Sequence, residues 1–144
     1  MTAVEIDPRL AESLQHRMAG TNVRVIQADA TDMPLDDEMF SAAVSLTMLH
    51  HVPSAALQDK MLAEVRRTLR PGAVFGGIDN TASLGFRLIH IGDTMVVADP
   101  DTFASRLVAA GFSNVHIARA GHRFRFQARR GPQKIRGPLR QKPV

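Results

Sequence analysis

The chain has 144 residues and 44% hydrophobic content, a length and apolar share that suit one globular domain able to bury a core. It contains no Cys, which excludes a disulfide framework, a thiolate nucleophile and a Cys-based zinc site, and with no thiolate ligands no metal site is expected. All fourteen acidic residues lie at or before Asp101, whereas half of the eighteen Lys and Arg lie at or after Arg119, so the net charge of +4 averages an acidic body and a basic end.

The longest apolar stretches are strand-length, far short of the roughly 20 residues a membrane helix needs. The first residues carry Glu5 and Asp7 rather than a basic leader, and these features together predict a cytoplasmic protein with no membrane contact. The basic end offers a route to nucleic acid, but Phe124 and Phe126 are its only aromatics. A solvated strand face followed by a disordered end is the simpler account.

In chain order, Thr2 to Ile6 leans to β structure and is followed by Asp7 and Pro8, which suit a helix N-cap and first position. Leu10, Leu14 and Met18 recur every four residues and predict a buried helical stripe, ended at Gly20. Val23 to Ile26 is the next strand, and Asp29, Asp32, Pro34 and the acidic run from Asp36 to Glu38 form a loop. Phe40 to Leu49, with Ala42, Ala43, Val44 and Leu46, is the pattern of a central strand covered on both faces. Pro53 and Ser54 open a helix whose Leu57, Met61, Leu62, Val65 and Leu69 face a core, ended by Pro71 and Gly72. Ala73 to Ile78 is again a strand. Thr81 to Asp99 has no period and reads as an insertion, able to form a lid.

Asp101 or Thr102 caps a last helix through Phe103, Leu107 and Ala110, stopped at Gly111, before strands at Val115 to Ala118 and His122 to Ala128 joined at Ala120 and Gly121. The alternation predicts a mostly parallel α/β sheet with an antiparallel edge strand from a C-terminal β-hairpin. It divides the chain into a domain over 1–129 and a basic tail over 130–144.

Ligands of such sheets bind beyond the carboxyl ends of the strands. Glu5 ends the first strand, where a carboxylate can accept both hydroxyls of a ribose. Asp29 follows the second, where it can accept from an adenine amino group while the Ala30 N–H meets a ring nitrogen. His50 and His51 follow the third. Each has a plainer rival: a carboxylate at a strand end is often a loop residue, and Asp7 reads as the cap of its helix.

Taken in order, VEIDPRLAESLQ, VIQADATDMPLDDEMFSAAVSLTMLHHV, VRRTLRPGAVFGGID and LVAAGFSNV resemble successive motifs of the small-molecule, type 11-like branch of class I S-adenosylmethionine-dependent methyltransferases. The resemblance implies a Rossmann-like fold and an enzyme that transfers a methyl group from S-adenosylmethionine to a small-molecule acceptor. It implies that Glu5 binds the ribose, Ile6 packs on the adenine, Asp29 and Ala30 hold the adenine edge, and the Leu46 backbone meets the methionine part. His51 is the catalytic candidate, as a general base, with a structural or substrate-shaping role ranked ahead of that one. Arg87, His90 and Met95 are candidates for the acceptor pocket.

The family pattern also calls for a first strand and a glycine-rich turn ahead of the Thr2 strand, and neither is in the sequence. The expectation is a start inside the domain, with the strand absent from between those ending at Glu5 and Leu46, leaving two unpaired edges. A non-catalytic interaction module that uses such an edge, or nucleic-acid contact through the basic tail, are the alternative functions.

Overall fold

The computed structural model describes residues 1–81 and 95–132. Along them run β1 (Thr2–Glu5), α1 (Pro8–Met18), β2 (Arg24–Gln27), β3 (Phe40–Leu46), a 3-10 turn (Leu49–His51), α2 (Ala55–Thr68), β4 (Leu69–Asn80), α3 (Pro100–Ala109), β5 (Phe112–Ala120) and β6 (Arg123–Arg130). The basic tail from residue 133 and most of the insertion, residues 82–94, lie outside the described residues.

Local chemistry accounts for the helix starts. Asp7 Oδ1 accepts the N–H groups of Arg9 and Leu10 at 2.8 and 3.0 Å, with Pro8 in the first turn, where its missing N–H costs nothing. Ser54 Oγ accepts from Leu57 N–H at 3.1 Å. The cap of α3 is Asp99 rather than Asp101 or Thr102, because Pro100 then takes the first helical position and Asp99 Oδ1 reaches the N–H of Asp101 at 3.0 Å. Gly20 and Gly111 end their helices with φ of 79° and 92°, a region open to glycine without a Cβ clash. The C-terminal hairpin turns at Gly121 and His122, one residue later than expected.

The strands form two sheets: β1 and β2 in parallel, from Thr2↔Arg24 to Glu5↔Gln27, and a four-stranded sheet in the order β3-β4-β6-β5. β3 and β4 are parallel, and β6 runs antiparallel to both β4 and β5. The antiparallel strand is thus internal and β5 is the edge, which corrects the expectation of an antiparallel edge strand. β6 takes the interior place because its Phe124, Phe126 and Ala128 are all buried at alternate positions. Among the described residues β1 and β3 each pair with one neighbour only, so the sheet divides between the strands ending at Glu5 and at Leu46.

One face of the larger sheet carries the core. Phe75, Phe124, Phe126 and Ala128 cluster with Met61 and Leu62 of α2 and Phe103 and Leu107 of α3. Phe103 meets Phe124 and Phe126 edge-on, with centroids 5.5 and 5.1 Å apart, a favourable arrangement of ring quadrupoles. The opposite face differs from expectation. Val44 is 73% and Leu46 64% exposed, so among the described residues β3 is covered on one face only, α2 and α3 both lying on the other side. The α1 stripe is corrected likewise: Ala11 is its one buried residue and Leu10 is 59% exposed, because α1 packs mainly on the narrow β1–β2 pair.

Candidate functional site

The expected site residues lie at the carboxyl ends of parallel strands, on both sheets. Glu5 closes β1, and its Oε1 accepts the Asp7 N–H at 2.9 Å. The Ala28 N–H donates to the Glu5 carbonyl at 2.9 Å, which carries the β1–β2 ladder one step past Gln27 and brings the next loop alongside Glu5. In that loop Asp29 Oδ1 accepts from Thr31 N–H at 2.7 Å, and its carbonyl accepts from Asp32 N–H at 3.0 Å. This is an Asx-type turn, which fixes the loop from within. Asp29 is exposed, Ala30 is half-buried, and Ile6, directly after Glu5, is 63% exposed. The structure therefore brings together Glu5, Ile6, Asp29 and Ala30. Asp7 serves as a cap.

Leu46 and the histidines belong to the other sheet. Thr47 turns the chain sharply with φ of 50°, its N–H bonded to the Ile78 carbonyl at 2.8 Å, and the 3-10 turn follows. His51 is exposed and its ring lies 4.2 Å from that of His50. His50 is buried, with Nδ1 2.6 Å from Asp79 Oδ1. Met95 is half-buried; Arg87 and His90 lie outside the described residues.

A salt-bridged clamp ties the loop after β2 to α2. Arg67 donates to both carboxylate oxygens of Glu64 at 2.8 Å, to the Leu35 carbonyl at 2.6 Å, to the Met33 carbonyl at 2.9 Å and to Asp37 at 2.8 Å. Glu64 Oε2 also accepts the Met33 N–H at 3.0 Å. Hydrogen bonding to Arg67 lowers the Glu64 pKa below its ordinary 4.5, outweighing the opposing effect of burial, and the Met33 N–H adds to the lowering. The bonds from Glu64 and Asp37 raise the Arg67 guanidinium further above its usual value.

Sequence reading missed the clamp and Asp79. The clamp joins residues some thirty positions apart in sequence and left no local signal. Asp79 did leave one: it is an acid at the carboxyl end of a glycine-rich apolar strand, the position where ligand-side residues collect.

A parallel β1–β2 pair with an acid at the end of its first strand and an Asp turn after its second, together with the four-stranded sheet, defines a Rossmann-like α/β architecture. Residues 1–76, just over half of the chain, match the family described as a methyltransferase domain, and the chain belongs to that family, among the class I S-adenosylmethionine-dependent methyltransferases. It is 30% identical over 79 residues to the sterol 4-C-methyltransferase strm-1 of Caenorhabditis elegans, covering 52% of this chain and 23% of that protein. It is 46% identical over 50 residues to sterol methyltransferase-like 1 of Botryococcus braunii, covering 35% and 12%. The chain thus spans about a quarter or less of either relative. Among solved structures, an S-adenosylmethionine-dependent methyltransferase from Thermotoga maritima superposes with a TM-score of 0.74 at 18% identity, over 90% of this chain and 72% of that one, a likeness of fold.

Proposed function

We propose that this chain carries the adenosine-binding side of an S-adenosylmethionine-dependent methyltransferase acting on a small-molecule acceptor. The observation that carries the reading is the β1–β2 register, which sets Glu5 beside the Asp29–Ala30 loop with Ile6 exposed between solvent and sheet. The donor and acceptor chemistry fits: a half-exposed carboxylate for vicinal hydroxyls, an apolar side chain for a ring face, and a carboxylate and a backbone N–H for a purine edge.

In this reading Glu5 accepts from the ribose hydroxyls, Ile6 packs on the adenine, Asp29 and Ala30 hold its edge, and the Leu46 backbone meets the methionine part. The cofactor supplies a methyl group made electrophilic by its sulfonium, so the protein's main task is to align the acceptor and exclude water. His51 stands on the acceptor side, to shape the pocket or to take a proton from an attacking oxygen or nitrogen. Both named relatives are sterol methyltransferases or resemble one, yet the likeness covers a minor part of each, and the acceptor is carried no further than a small molecule.

Titration of the chain with adenosine and with S-adenosylhomocysteine tests this. Hydrogen bonds to a charged group contribute about 1.5–3 kcal/mol, so Glu5→Gln should weaken both ligands by about tenfold or more. Affinities that Glu5→Gln leaves unchanged would contradict the assignment.

A further inference from the structure

We propose that Asp79 is the positioning residue of the histidine pair: it fixes His50 as the Nδ1–H tautomer, and His50 in turn backs the exposed ring of His51. The inference rests on the reading of His51 as an acceptor-side residue. It concerns a residue beyond the matched stretch 1–76.

Asp79 and His50 are 0% and 3% exposed. Three groups converge on the Asp79 carboxylate: the Leu49 N–H on Oδ2 at 2.8 Å, the Asn80 N–H on Oδ1 at 2.7 Å, and His50 Nδ1 on Oδ1 at 2.6 Å. The two backbone groups can only donate, and a carboxylate serving them is an acceptor. The short contact to Nδ1 therefore requires the hydrogen on that nitrogen, and the other ring nitrogen is left as the acceptor whenever the ring is neutral.

The backbone on both sides of the ring is pinned as well. Gln58, fully buried, donates through Nε2 to the carbonyls of Leu49 at 2.9 Å and Val96 at 2.6 Å, and the Val96 N–H donates to the His50 carbonyl at 3.1 Å. His50 is thus fixed in plane and tautomer, and the ring of His51 lies against it at 4.2 Å. A buried acid is costly, and apolar replacements of buried ionic groups are often as stable. Packing alone gives little reason for an acid here, whereas orienting an imidazole does.

The test needs neither cofactor nor acceptor, so its outcome is independent of the adenosine titration. In the chain labelled with 15N at its histidines, the His50 signals are identified by their loss in His50→Gln. Wild type should carry the His50 hydrogen on Nδ1, and His50→Gln should shift the His51 ring signals. In Asp79→Asn an amide N–H would face Nδ1, and the ring hydrogen should move to Nε2. A wild-type ring protonated on Nε2, a tautomer unmoved by Asp79→Asn, or His51 signals indifferent to His50→Gln would each overturn the proposal. The wild-type spectrum decides the tautomer even if Asp79→Asn fails to fold.

Discussion

At the residue scale, Glu64 and Arg67 have the clearest thermodynamic consequence, because they hold the loop that leads from β2 to β3. The Glu64 pKa is depressed in the folded state, so its contribution is fully present above the unfolded value near 4.5 and is lost as pH falls through the lower folded value. Glu64 and Arg67 are 18% and 30% exposed at the side chain, and a bidentate pair so placed is worth about 1 kcal/mol. Glu64→Gln should therefore lower the melting temperature at pH 7, and the gap from wild type should narrow as the pH is taken below 4.5. Thermal melts across pH 3 to 7 check this.

Sequence and structure agree best where a single residue's chemistry acts locally. Asp7, Pro8 and Ser54 marked their helix starts because capping depends on groups two or three positions away. Glu5, Asp29, Ala30 and Leu46 were legible as strand-end residues for the same reason. Asp79 left a strand-end signal of the same kind, but its partner His50 lies twenty-nine positions earlier and could not be read locally.

At the element scale, β3 shows how an apolar run can mislead about burial. Ala42, Val44 and Leu46 are as hydrophobic as a doubly covered strand should be, but they line up with Val74, Gly76 and Ile78 on the face away from the core. The pattern states what the strand requires and the fold supplies cover on one side. At Gly77, by contrast, the covered face is so tight that an added Cβ would lie 2.2 Å from the Ser45 carbonyl and 2.6 Å from the Phe126 ring, which explains a glycine at a mid-sheet position.

The bare face has a measurable consequence. Contiguous exposed apolar residues on a strand at the sheet edge favour association, so the chain should show a mass that rises with concentration in light scattering. Val44→Lys with Leu46→Lys should bring it toward a monomer. A wild-type chain that stays monomeric at every concentration would show the face to be satisfied in some other way.

At the scale of the whole molecule, the candidate site is divided. Glu5, Ile6, Asp29 and Ala30 lie at or just after the strand ends of the two-stranded sheet, while Leu46, His50, His51 and Asp79 lie at or just after strand ends of the four-stranded one. The alternation of strands and helices made the fold class legible, because each period reports its own element. The order of β5 and β6 was not, because it is decided by which strand buries more phenylalanine, a comparison between elements.

The central claim is that this chain recognises the adenosine part of S-adenosylmethionine at the end of β1. Backbone amide spectra of the 15N-labelled chain during titration with S-adenosylhomocysteine test it most directly. The account predicts shifts concentrated at Glu5, Ile6, Asp29 and Ala30. Shifts confined to the Arg123–Arg130 strand, or none at any ligand concentration, would contradict it.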